Sequence, residues 1–265
     1  MPKEHFSGFI DVRNALKDSY LALFLAYSDI RQRYRRSTLG PFWITISTAV
    51  MISCIGIIFG GLFKTPMKEF LPFLTAGLIL WSLISNCLSE ATVVFVSAEP
   101  IIKQLPIPLF THVIRMVSRN VYIFLHNILI FPAVLLIVGK SVGFACLLSL
   151  PGLFLLIINL SWMSLLLGII CSRFRDLGQI VASVLQIFFY LTPIIWMPSL
   201  LPERTSMMIL GPNPFSHLIQ IVRSPLIGGT PPISSWIFSV FLGGLGWILT
   251  ILLFNKYRSR IAYWL

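Results

Sequence analysis

Charge is scarce in this sequence. Asp, Glu, Lys and Arg make up 11% of 265 residues, against roughly a quarter in an ordinary soluble domain. Too few charges remain to coat a water-facing surface. A soluble fold is therefore excluded, as are a disordered chain, a collagen-like repeat and a small disulfide scaffold. Acidic residues are scarcer still, nine in all, and none falls inside a long apolar run. A proton- or sodium-coupled carrier usually holds a carboxylate within the membrane, so that class is weakened. The four cysteines, Cys54, Cys87, Cys146 and Cys171, are scattered in or at the ends of apolar runs. Their spacing suits neither a metal site nor a disulfide framework. Gly139-Lys140-Ser141 resembles the tail of a nucleotide-binding loop, but Val134 stands where the motif requires Gly. No HExxH, Ser-His-Asp set or carboxylate pair stands at a useful depth. An intramembrane enzyme working through His112 or His126 has no visible acidic partner.

What is present is apolar: 57% of the residues are hydrophobic. A transmembrane helix needs about 20 mostly apolar residues. Six uncharged runs meet that length: Phe42 to Phe63, Phe70 to Ser89, Asn120 to Val138, Leu147 to Ile170, Leu177 to Met197, and Ile233 to Phe254. A seventh, Thr205 to Val222, is cut by Gly211-Pro212-Asn213-Pro214. Prolines there deny a continuous helix its hydrogen bonds, so the segment reads as broken or re-entrant. Six spans with both termini in the cytoplasm leave only Lys64, Lys68, Lys140, Arg204 and Arg223 outside, of 20 Lys and Arg. That split obeys the positive-inside rule. The net charge of +11 then reflects topology and anionic lipid rather than nucleic acid. The opening residues are too polar for a cleaved signal peptide, so the first span is expected to act as its own signal.

Between the spans lie the candidate functional elements. Phe6, Phe9, Ile10, Leu16, Tyr20, Leu23, Phe24 and Tyr27 follow helical spacing, with Asp11, Asn14, Lys17 and Asp18 elsewhere on the wheel. Such a helix suits the membrane interface. The basic run Arg31 to Arg36 follows, ahead of Trp43. It fits an interfacial anchor or a phosphate grip, since guanidinium forks hold phosphate in two places. Glu99-Pro100-Ile101-Ile102-Lys103-Gln104 forms a proline-bounded turn with a favourable helix start. It could lie on lipid or dock on a partner. His112, Arg115, Arg119 and His126 share one helix face, with Asn120 and Asn127 beside them. They suit either structural hydrogen bonding or substrate contact. Phe188, Phe189, Tyr190 and Trp196 surround Pro193 and suit packing, an interfacial belt or a binding surface.

Together these motifs resemble the membrane subunit of ABC-type polysaccharide exporters, which move O-antigen, capsule or teichoic-acid chains. The resemblance rests on Arg33-Tyr34-Arg35-Arg36-Ser37-Thr38-Leu39-Gly40, Ile101-Ile102-Lys103-Gln104 before Pro106, and His112 with Arg115. It continues through Arg119-Asn120, His126-Asn127, Phe174-Arg175-Asp176, Asn213-Pro214 with Arg223, and the closing Tyr257-Arg258-Ser259-Arg260-Ile261-Ala262-Tyr263-Trp264. These cover nearly the whole chain, and Ile-Ile-Lys-Gln and His-Asn look most like the O-antigen branch. The chain departs from the pattern at Ser28 before Asp29 and at Leu105-Pro106.

The resemblance implies one permease domain over 1–265: an interface helix and basic run over 1–41, a six-span all-α bundle over 42–254, and a cytoplasmic tail. It implies a homodimer in the bacterial inner membrane with two copies of a separate ATP-binding cassette subunit, which carries ATP and magnesium. This chain then needs no cofactor and no metal. Glu99, Pro100, Ile101, Ile102, Lys103 and Gln104 would couple to the ATPase. The cargo would be a polysaccharide linked to a lipid pyrophosphate, its headgroup guided by Arg35, Arg36, Arg115, Arg119 and His126. Trp43, Phe188, Phe189, Tyr190 and Trp196 would offer sugar-stacking faces. The competing readings are an ABC exporter of lipids or drugs, a lipid-linked sugar enzyme, and a membrane scaffold.

Overall fold

The structure, a computed structural model, describes residues 8–35, 42–141 and 143–265. Phe6 and Arg36 through Gly40 lie outside the described residues. Regular structure among the described residues is entirely helical. In chain order the helices are α1 (Gly8–Lys17), α2 (Ser19–Tyr34), α3 (Phe42–Phe63), α4 (Met67–Ala91), α5 (Val94–Ser97) and α6 (Glu99–Gln104). Then come α7 (Phe110–Asn127), α8 (Ile130–Val138), α9 (Ser149–Arg173), α10 (Leu177–Leu191), α11 (Glu203–Leu210), α12 (Pro214–Leu226) and α13 (Ile233–Trp264).

Among the described residues, five helical stretches are long and apolar enough to cross a membrane. They are α3, α4, α7 continued by α8, α9 with the short turn before it, and α13. The span expected at Leu177 to Met197 is shorter than its apolar run. Its helix, α10, has 15 residues, about 22 Å of length, whereas a bilayer core is about 30 Å thick. Pro193 is the cause. The residue before a proline is pushed out of the helical region, and Thr192 is extended, at φ −88° and ψ 136°. The expected break after it is present: α11 stops at Leu210, and α12 starts at Pro214. Asn213 caps α12, its side-chain carbonyl accepting from Phe215 N at 3.0 Å and Ser216 N at 3.3 Å. Its amide donates to Thr192 Oγ1 at 2.9 Å, tying the two breaks together. The third span also starts earlier than expected, at Phe110, and bends after Asn127. Pro132 lacks the N–H that would bond back to Ile128, which releases that turn.

The bundle is built around α4. Its Phe70, Leu74, Leu80, Ile84 and Cys87 are fully enclosed, with α3, α7, α8, α9, α10 and α12 packed around them. Helices α9 and α13 share the most extensive seam. Ser239, Gly243, Gly246 and Thr250 recur along α13 at steps of four and three and are buried. Small residues at this spacing let helix backbones approach closely. A Cβ on Gly246 would collide with the Trp162 indole. Asn159 stitches the seam, donating to Ser239 O at 3.2 Å and accepting from Trp162 Nε1 at 3.1 Å.

The N-terminal stretch expected to form one interface helix is two helices, divided at Asp18. Their large apolar residues Phe9, Leu16, Tyr20, Phe24 and Tyr27 face outward, each more than half exposed. Val12, Ala15, Ala22, Ala26 and Ile30 face the bundle. Large apolar side chains outward and small ones toward the bundle fit the interfacial placement expected from the sequence.

Candidate functional site

The expected polar stripe on α7 sits against two carboxylates from elsewhere in the chain. Arg115 donates through Nε to Asp29 Oδ2 of α2 at 2.8 Å, and its Nη2 binds the other oxygen of the same carboxylate. Arg119 reaches Asp29 Oδ2 through Nη1 at 3.1 Å and Glu90 Oε2 through Nη2 at 2.8 Å. Asn120 Nδ2 also donates to Glu90, at 2.8 Å. Three helices, α2, α4 and α7, are thus tied by one charge-compensated network. Burial alone would raise the pKa of Asp29. Arg115 and then Arg119 outweigh it, holding the carboxyl below its ordinary 3.8.

Behind this network lies a cavity of about 250 Å³, lined by Glu90, Ser97, His112, Arg115 and Arg119. His112 Nε2 and Arg119 Nε are buried there without a hydrogen-bond partner among the described residues. His126 does not join the cluster. It lies two turns further along α7, its Nδ1 donating to Tyr122 O at 2.8 Å and its ring edge-on to Phe42 at 6.1 Å.

The turn Glu99–Gln104 is helical, as α6, with no buried residue. Pro100 occupies a first-turn position, and Lys103 closes back on Glu99 at 2.6 Å. Ile101 and Ile102 are half-buried, and Leu105 is exposed. The following segment enters α7 through a carboxylate that sequence reading placed on a polar face. Asp11 of α1 is buried. It accepts from Leu109 N at 3.1 Å and Phe110 N at 3.0 Å, the first peptide groups of α7. Arg258, near the end of α13, donates to it at 2.7 Å. A helix N-terminus leaves such N–H groups unpaired and favours negative charge.

The remaining candidates divide. Arg35 is exposed at the end of α2, and Arg36 lies outside the described residues. Trp43 and Tyr190 are more than half exposed. Phe188 and Phe189 pack inward instead, Phe188 against Phe215 at 5.0 Å and Phe189 against Trp81 at 5.9 Å. Trp196 folds back, its indole donating to Tyr190 O at 3.0 Å. Arg223, counted outside by sequence, is buried in α12. It donates to Pro193 O and lies 3.8 Å from the Phe73 ring centre.

Asp11, Asp29 and Glu90 are the residues that sequence reading missed. The available signal was scarcity: of only nine acids in the chain, these three hold the arginine network and the start of α7.

Residues 20–227 match the family described as ABC-2 type transporter. Two Klebsiella pneumoniae proteins named O-antigen export system permease protein RfbA are similar along nearly the whole chain. One is 23% identical over 243 residues, covering 91% of this chain and 93% of that protein. The other is 24% identical over 246 residues, with the same coverage. A Myxococcus xanthus protein of the same name is 22% identical over 214 residues, covering 78% of this chain and 80% of its own. An all-helical bundle with several apolar, membrane-length helices among the described residues agrees with that match. This chain belongs to the ABC-2 type transporter membrane family.

Proposed function

We propose that this chain is the transmembrane subunit of an ATP-driven exporter that carries a lipid-pyrophosphate-linked polysaccharide, O-antigen, across the bacterial inner membrane. The observation that carries this reading is similarity over 91% of the chain to proteins named O-antigen export permeases, joined to the family match over residues 20–227. Two copies of the chain work with two copies of an ATP-binding cassette subunit, which holds ATP and magnesium. Both termini face the cytoplasm. Helix α6, with Glu99, Pro100, Ile101, Ile102, Lys103 and Gln104, docks on that subunit, which supplies the cover its exposed surface lacks.

Arg35, with Arg36 next to it in the sequence, meets the pyrophosphate. Arg115 and Arg119 take part by exchange, since each already holds a carboxylate that a phosphate must displace. His126 marks the depth at which the lipid tail parts from the headgroup. Trp43, Tyr190 and Trp196 offer sugar-stacking faces. Phe188 and Phe189 shape the wall behind Tyr190.

The test is genetic and biochemical. In a strain lacking its own O-antigen permease, this chain expressed with its ATPase is expected to restore surface O-antigen. Co-purification with the ATPase but no restored polysaccharide of any kind would move the cargo to lipids or drugs.

A further inference from the structure

Helix α6 and helix α7 are joined by a short segment, residues 105–109, stiffened by Pro106 and Pro108. At its α7 end the segment is fixed by hydrogen bonds to Asp11, while α6 itself rests on α5 and α13. Its last residue, Leu109, and the first residue of α7, Phe110, both give their backbone N–H to the Asp11 carboxylate. The same carboxylate receives Arg258 from α13. Nearby, Phe9 N donates to Asn255 Oδ1 at 3.2 Å, and Gly8 lies close against Phe254, so α1 is fixed to α13 as well. Beside this junction opens a cleft of about 690 Å³, bordered by Asn14, Lys17, Ile102, Leu105 and Ser259. The arm carrying α6 therefore has open space on one side and an anchored root at Asp11. Asp11 and Arg258 both fall outside residues 20–227, the stretch that matches the transporter family.

We propose that Asp11 is the positioning residue that makes α1, α7 and α13 follow the α6 arm as one body. A push on α6 pulls the Leu109 and Phe110 peptide groups. Their bonds run to one buried carboxylate, and that carboxylate is bonded to α13. Breaking it removes the hydrogen-bonded link between the root of α6 and α13, leaving only the side-chain packing of α6 on α13 to carry the motion. The inference rests on the reading of α6 as the surface an ATPase grips, but not on the nature of the cargo.

The test uses the complex of this chain with its ATPase in nanodiscs, the native cysteines replaced by alanine. Spin labels are placed at Gln104→Cys and Arg175→Cys in one sample, and at Tyr263→Cys and Arg175→Cys in another. Distances are compared without nucleotide and after trapping with ATP and vanadate. Both pairs are expected to shift in the parent complex. In Asp11→Asn the Gln104 shift is expected to remain and the Tyr263 shift to shrink. ATP hydrolysis stays near the parent level while polymer exported per ATP falls about fivefold, the size of about one lost hydrogen bond. Arg258→Gln, which leaves the α7 bonds in place, is expected to uncouple Tyr263 alone, and serves if Asp11→Asn fails to insert. A Tyr263 shift in either variant equal to that of the parent overturns the proposal. So does a parent in which Tyr263 never moves. A parent chain that recruits no ATPase overturns the partner reading instead.

Discussion

Arginine 119 shows how one side chain decides between two roles. Its guanidinium spans Asp29 and Glu90, on two other helices. A lysine keeps the charge but lacks the planar fork, so Arg119→Lys is expected to release one carboxylate. Charge-assisted bonds are worth about 1.5–3 kcal/mol each. Thermal unfolding in detergent is expected to show that loss. A double-mutant cycle with Asp29→Asn is expected to show coupling of about 0.5–3 kcal/mol. Additive effects would mean the pair contributes little to the fold. The same carboxyl sets a pH dependence. Its native pKa lies below the ordinary 3.8, so the stability it provides is present above that value and is lost as the pH falls through the depressed one. The stability gap between the parent and Asp29→Asn is thus expected to stay constant above about pH 5 and to close below about pH 4. Melting curves across that range read it directly. None of these pairings was legible in the sequence. Arg115 and Asp29 lie 86 residues apart, and helical periodicity shows which residues share a face, not what the face meets.

Elements were more legible than contacts. Uncharged runs located the long helices, because hydrocarbon admits few charges whatever the tertiary fold. The proline-bounded turn at Glu99–Gln104 was readable because capping and proline effects are local. The short α10 was not, because hydropathy runs on past Pro193 although the helix stops before it. The inward packing of Phe188 and Phe189 was also hidden, since an aromatic reads alike on either face. Two predictions belong at this scale. Changing Ile101 and Ile102 to Asp is expected to abolish co-purification with the ATPase while membrane insertion stays normal. Each buried isoleucine is worth about 1.5–3 kcal/mol. Undiminished co-purification would place the contact elsewhere. On the α9–α13 seam, Gly246→Val meets the Trp162 ring, whereas Gly244→Val meets nothing within 4 Å. Overpacking costs about 1–3 kcal/mol, so only the first is expected to lower the melting temperature of purified protein.

At the scale of the whole molecule, topology follows from where the charged ends lie. Helix α13 has 32 residues, about 48 Å, so its last turns with Lys256, Arg258 and Arg260 project beyond a bilayer core. Cysteines placed near Lys64, Lys140 and Arg204 are expected to react with an impermeant reagent from outside. Cysteines near Lys103, Arg175 and Arg258 are expected to be protected. Outside labelling at Arg258 would mean either that the segment 205–222 crosses the membrane or that the short α10 does not. The enclosed α4 has a different kind of consequence. Its side chains fill the axis of the bundle, so in the proposed dimeric exporter the polymer would travel along the flank of a subunit, where a second copy would close the way. Each exporter then needs two sound copies. An allele that assembles but cannot export should poison its neighbours: expressed equally with the normal gene, it leaves about a quarter of the pairs intact. Surface polysaccharide in such a merodiploid should fall well below half, which makes assembling but inactive alleles dominant.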